Sequence, residues 1–312
     1  MPSRVSAGEV GYHPNTTARA LRTGRSGLVA FLMESYQSLR GEFHTEAFAA
    51  FESIMATRGL NVMISIAPRS QDISQLARNL VMTSRCDAIA IRFDKLSRND
   101  YLELSTLGVP VVLMNFNPSS TNDDFKIASI GFDNKQGTQQ ATRYLASLGH
   151  HRIAYLGGTP GWLDSIHRKQ GFRTGMREVG LTINEKWMVD CDFRSGYNTG
   201  TKGMSQIFST GLDSPTAVVC ASDEIAVGAI TAAIHWGKTI PDDFSIIGFD
   251  DNLWSSYITP PLTTIRHQGW DLGEKAGLYL LELFDDSNHI EKNIVLETQL
   301  VIRESTGIAP PV

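Results

Sequence analysis

Cysteine is scarce in this sequence. Cys86, Cys191 and Cys220 are odd in number and far apart, which excludes a disulfide framework and suits free thiols in a reducing compartment. Long apolar runs are also missing: no stretch approaches the roughly 20 residues that span a bilayer. The start, MPSRVSAGEV, has no apolar core of the kind an export signal requires. A cytoplasmic chain without membrane contact is therefore expected. The net charge of -5 over 312 residues leaves no chain-wide basic surface for nucleic acid, so any such contact must be local. Catalytic and metal-binding spacings are missing as well, with no H-E-x-x-H, C-x-x-C or G-x-S-x-G. No enzyme, metal or cofactor is expected.

What is present is an ordinary globular composition, 42% hydrophobic and 20% charged, in a chain long enough for two domains or two lobes of one. Short apolar runs predict strands at Leu28 to Met33, Leu60 to Ile66, Ala88 to Arg92, Pro110 to Asn115, Arg152 to Gly157, Ala217 to Ala221 and Phe244 to Phe249. Between them, apolar residues at three and four spacing predict helices over Phe43 to Arg58, Ile73 to Met82, Gln136 to Leu148, Ser205 to Phe208 with its flanks, and Glu224 to Trp236. That alternation defines an α/β fold with parallel sheets covered by helices. It runs twice, over about residues 27–131 and 134–250, which predicts two similar lobes with a cleft between them. Ligands of open parallel sheets sit beyond the carboxyl ends of strands. Glu34, Arg92, Asn115, Ser222, Asp223 and Asp250 stand at such ends.

With Arg168 and the aromatics Phe43 and Phe193, these residues would suit a polyol or sugar derivative. Planar charged groups would hold its hydroxyls while a ring stacks on an aromatic face. Each also has a plainer reading, since an Asp after a strand, such as Asp223, is as often a helix cap. Arg92 and Arg168 together would favour a sugar acid or sugar phosphate, unless Glu34, Asp223 and Asp250 neutralise them. The glycine run YLGGTPGW fails the dinucleotide pattern at Leu156 and reads as a turn. His150-His151 reads as structural at a helix end.

One stretch is locally basic. In YHPNTTARALRTGRSG, Asn15 caps a helix of about two turns, too short to be stable alone. Arg19, Arg22 and Arg25 could neutralise phosphates, and Ala18 and Leu21 make a small apolar face of the kind used as a minor-groove wedge. From composition alone, a solvated arm is the plainer reading.

Taken in order, this stretch, SLGHHRIAYLGG, RKQGF, CASDEIAVGAI, SIIGFDD and PPLTTIR resemble the LacI/GalR family of bacterial transcription regulators over nearly the whole chain. The resemblance implies a core like the periplasmic sugar-binding proteins and a homodimer that binds operator DNA and a small effector. It also implies a hinge helix in which Asn15, Ala18, Arg19, Leu21 and Arg22 meet DNA. Arg168, Asp250, Phe193, Ser222, Asn115, Arg92 and Phe43 match effector-lining positions. Only RVSAGEVGY would remain of a helix-turn-helix, so weak, poorly discriminating DNA binding is expected. The implied division is residues 1–26 as a remnant with the hinge, 27–131 plus about 267–292 as one lobe, and 132–266 plus about 293–312 as the other. The rival reading is the solute-binding protein of a sugar transporter, which shares the two lobes but has no hinge helix.

Overall fold

The computed structural model describes residues 25–34, 41–67, 72–93, 96–117, 127–211, 214–285 and 293–311. The residues expected to form a hinge, Asn15, Ala18, Arg19, Leu21 and Arg22, lie outside them.

The N-terminal lobe starts with β1 (Leu28–Met33), and its sequence LVAFLM is apolar throughout because both faces of the strand are covered. Val29, Phe31 and Met33 enter one core and Ala30 and Leu32 another, the period of two of a strand buried on both sides. The lobe continues through α1 (Glu42–Thr57), β2 (Asn61–Ile66), α2 (Ile73–Met82), β3 (Ala88–Arg92), α3 (Arg98–Leu104), β4 (Val111–Met114) and β5 (Ala128–Phe132). After α4 (Asn134–Ser147), the C-terminal lobe repeats the plan with β6 (Ile153–Gly157), α5 (Leu163–Glu178), β7 (Met188–Asp190), α6 (Gly196–Phe208), β8 (Ala217–Cys220), α7 (Asp223–His235), β9 (Ser245–Asp250) and β10 (Thr263–Arg266). Helix α8 (Gly269–Asp285) and β11 (Asn293–Leu296) return to the first lobe, and β12 (Gln299–Val301) to the second.

Among the described residues the sheets have orders β11-β5-β4-β3-β1-β2 and β12-β10-β9-β8-β6-β7, the same pattern strand for strand. All the pairings are parallel except β10 with β12. The expected α/β fold of two helix-covered parallel sheets is thus what forms. No described helix is long and apolar enough to cross a membrane.

The chain passes between lobes near Asp133, His267 and Glu297. Two expected boundaries shift. Phe132 still belongs to β5, and β11 pairs with β5 instead of joining the second lobe, so the first lobe holds Asn293 to Leu296. Residue 293 was an early boundary because NIVL is a short edge strand with no pattern to say which sheet it completes.

Glycines let the covering helices approach backbone to backbone. A Cβ on Gly269 or Gly273 of α8 would collide with the carbonyls of Phe43 and Ala47 on α1, and one on Gly277 with Ile54. Gly171 of α5 meets the Lys135 carbonyl in the same way, and Gly200 of α6 meets that of Ile225. Spaced four apart, such residues make a flat stripe on one helix face. Each lobe is therefore tightly packed. His150 is fully buried, its Nδ1 2.9 Å from Thr216 Oγ1 and its Nε2 3.0 Å from Ser245 Oγ, as the structural reading of this histidine expects.

At the start of the first lobe, Asp87 accepts hydrogen bonds from the backbone N–H groups of Ser26 (2.8 Å) and Gly27 (2.7 Å). A hollow of about 650 Å³ opens beside this joint, lined by Arg25, Cys86, Asp87, Pro110 and Phe284.

Candidate functional site

Arg168 lies on the inner face of α5 and is only 4% exposed. Its Nε donates to Asn134 Oδ1 at 2.8 Å, and its Nη1 donates to the Ala221 carbonyl and to Asp250 Oδ1, the latter at 3.3 Å. The guanidinium also sits 3.6 Å from the ring centroid of Phe249, with Phe193 at 5.7 Å. Hydrogen bonds in the plane and aromatic faces above it are how a buried guanidinium offsets its lost hydration. Asp250, the last residue of β9, has φ of 121°. The conformation turns its carboxylate inward, where His267 Nε2 comes to 2.9 Å from the same Oδ1.

The first lobe supplies the facing wall. Phe43, in the first turn of α1, stacks on His267 with centroids 4.3 Å apart and planes 17° apart. Beside it His44 lies with Nε2 3.5 Å from Nη2 of Arg92, which ends β3 and is 8% exposed. Burial first, then the positive charge of Arg92, hold His44 well below the ordinary imidazole range. His44 is thus a neutral hydrogen-bonding group next to a cation.

Among the described residues, three polar links cross between lobes. Asn115 Nδ2 donates to Asp164 Oδ2 at 3.0 Å, and the other oxygen of Asp164 accepts from Asn134 Nδ2, also at 3.0 Å. The Leu253 N–H donates to Glu42 Oε2 at 2.8 Å. At the mouth, Arg194 Nη2 lies 3.8 Å from Glu34 Oε1.

Of the residues expected to bind effector, Arg168, Asp250 and Phe193 line the second-lobe wall, while Phe43, Arg92 and Asn115 line the first. Glu34 stands at the mouth. Ser222 caps α7, its Oγ accepting from the Ile225 N–H. Asp223 is corrected: it is wholly buried beneath the wall and accepts from Ser255 Oγ, Thr264 Oγ1 and the Asn252 N–H. Burial, followed by the nearby Asp250 charge, raises its carboxyl to about 7. Its acceptors are taken up by the fold, so it fixes the loop after β9 and does not face the cleft.

Sequence reasoning missed Asn134, Asp164, His44, His267 and Phe249 as site residues. Asn134 follows β5 by two positions, and the strand-end rule would have found it had ASIGF been read as a strand. The others are brought in by lobe packing, which leaves no local pattern. The hollow beside Arg25 and Asp87 contains none of the site residues.

Two parallel-sheet lobes, crossed three times by the chain and enclosing a buried Arg–Asp–His cluster, define a two-lobed small-molecule binding core. Residues 142–306 match the family described as periplasmic binding protein-like domain. The ribose operon repressor of Haemophilus influenzae is 30% identical over 299 residues, covering 95% of this chain and 86% of that protein. The lac repressor dimer bound to operator and the anti-inducer ONPF superposes with TM-score 0.82 at 26% identity, covering 95% of this chain and 99% of that one. A transcriptional regulator CelR–cellobiose complex gives TM-score 0.79 at 25% identity, covering 96% of this chain and 88% of that one. This chain belongs to the LacI/GalR family of ligand-responsive transcriptional regulators, which decides against the transporter solute-binding reading.

Proposed function

We propose that the chain is the effector-sensing core of a cytoplasmic repressor, not an enzyme, and that its effector is a sugar or sugar derivative held between the lobes. The observation that carries this reading is the Arg168–Asp250–His267 cluster, with Phe43 stacked on His267 and Phe193 on Arg168. Paired donors and acceptors beside aromatic faces suit vicinal hydroxyls on a ring with an apolar face. Of the two cations expected in the cleft, Arg168 is paired internally with Asp250, which favours reading of hydroxyls over capture of an anion. Ribose and cellobiose in the names of two relatives support a sugar class.

The lobes move as units because their helices pack through glycines. An effector that touches both walls therefore favours one arrangement, and operator DNA favours one arrangement through the hinge of a homodimer. Each changes the other's affinity by the same factor, typically ~1 to 3 kcal/mol of coupling.

Thermal unfolding of the chain with a panel of neutral sugars, sugar acids and sugar phosphates tests the effector. A ligand at ~100 times its dissociation constant adds about 2.7 kcal/mol. The stabilisation should vanish in Arg168→Ala, and a ligand that stabilises this variant equally would overturn the assignment.

A further inference from the structure

An alternating series of rings and guanidinium groups runs outward along the inner wall of the second lobe. From Phe249 and Arg168 the series continues outward to Phe193, to Trp162 at 5.7 Å from it, and to Arg194, whose guanidinium carbon lies 5.4 Å from the Trp162 ring. Exposure rises along the series. Phe249 and Arg168 are 1% and 4% exposed, Phe193 and Trp162 are half-buried, and the Arg194 side chain is 47% exposed. The series faces the first lobe, because Arg194 meets Glu34 and Asp164, two residues after Trp162, is held by Asn115.

The outer pair of rings is fixed in place. Thr159 Oγ1 accepts from the Phe193 N–H at 3.0 Å and donates to Asp192 Oδ1 at 3.0 Å, tying the turn before Trp162 to the turn that carries Phe193. Gly158 lies so close beneath Phe193 that any Cβ would collide with the ring. Trp162 also occupies the N-cap of α5, where it makes no side-chain capping bond. Ser, Thr, Asp or Asn would serve the helix better there. A local preference given up at a cleft wall marks a position selected for its surface.

We infer that the cleft has a second, outer subsite, formed by Trp162 and Phe193 with Arg194 and Glu34 at its rim, and that the effector is a disaccharide. This inference rests on the sugar reading of the inner cluster. One ring is held at Arg168 and Asp250, and the next lays its C–H face on Trp162 while its hydroxyls meet the Arg194 guanidinium and the Glu34 carboxylate.

The test is calorimetric titration of the full chain with maltose, cellobiose, lactose and sucrose, each set against D-glucose, D-galactose and D-fructose. At least one disaccharide should bind about tenfold or more tighter than its component monosaccharides, as one additional stacked ring allows. Trp162→Ala should erase that advantage and leave monosaccharide affinity unchanged, while Trp162→Phe retains most of it. Equal affinity for one-ring and two-ring sugars, or an advantage that survives Trp162→Ala, overturns the outer subsite. If monosaccharides bind and Arg168→Ala abolishes this, the inner site stands even as the outer one falls. If no sugar binds the unaltered chain, both readings fall.

Discussion

Asn115 and Asp250 occupy the same place in the two lobes. Each closes the strand third in its sheet, β4 or β9, and each has a positive φ, 55° and 121°. Side chains other than glycine adopt such angles at a cost of ~1 to 3 kcal/mol and tend to do so at functional sites. Here the conformation aims both side chains at the cleft, Asn115 toward Asp164 and Asp250 toward Arg168 and His267. Asn115→Gly should leave stability nearly unchanged, because relief of the backbone offsets the lost hydrogen bond. Asn115→Ala should lower it by ~1 to 2 kcal/mol. Both should weaken effector binding by a similar factor, since both remove the amide that ties Asp164 to the first lobe and leave it held by Asn134 alone. Urea denaturation alongside calorimetric titration separates the two effects, and equal stabilities would refute the strain argument.

Arg168 contributes to stability as well as to binding. Replacing it with alanine leaves Asn134 Oδ1 and the Ala221 carbonyl without its N–H donors, and breaking a buried ion pair typically costs ~3 to 5 kcal/mol. A midpoint in urea close to that of the unaltered chain would show that water takes over these partners. Arg168→Lys should recover little, because a single ammonium cannot reach Asn134, Ala221 and Asp250 together.

Asp223 makes stability depend on pH in an unusual direction. Its carboxyl rises from 3.8 to about 7 on folding, so the folded chain holds this proton more tightly than the unfolded one does. The contribution is complete below pH 3.8 and is lost as pH climbs through 7. In Asp223→Asn the amide oxygen can still accept from the Asn252 N–H and Ser255 Oγ while the amide N–H donates to Thr264 Oγ1, as the protonated acid would, so stability should change little at low pH. The variant should also lack this part of the decline between pH 4 and 7. Parallel stability curves for the two proteins over that range would remove the claim.

Gly273→Ala should destabilise the first lobe by ~1 to 3 kcal/mol, as overpacking does, because the added methyl meets the Ala47 carbonyl. Effector affinity should weaken as well, because Ala47 lies one helical turn beyond Phe43 and displacing α1 there shifts the first-lobe wall. A stabilised variant would mean that α1 and α8 can separate freely.

Asp87→Ala should bind effector as the unaltered chain does while losing effector control of DNA affinity, measured by fluorescence anisotropy on duplex DNA. An unchanged effector response would exclude the Ser26–Gly27 joint from the coupling.

Buried strands such as β1 and β8 could be read from the sequence because LVAFLM and AVVC are continuous apolar runs covered on both faces, and α1, α2, α4 and α7 followed from their spacing, whereas α3, α5 and α8 did not. ASIGF was passed over because its serine and glycine interrupt the run. The strands β7, β11 and β12 were missed because three or four edge residues carry no period. In the site, Asp250 was legible as a strand-end residue and Arg168 stood in the family motif RKQGF. Asp164 and His267 owe their roles to the approach of two lobes distant in sequence. Asp223 shows the limit of the strand-end rule, which locates a residue at a strand terminus and says nothing of whether the residue faces outward.

The grip of Asp87 on Ser26 and Gly27 has a mechanical consequence. Two short hydrogen bonds from consecutive backbone groups to one carboxylate fix both the position and the heading of the chain as it leaves β1 toward its amino end. Because Asp87 stands directly before β3, which pairs with β1, a few degrees of lobe tilt would turn Ser26 and Gly27 with the sheet and not apart from it.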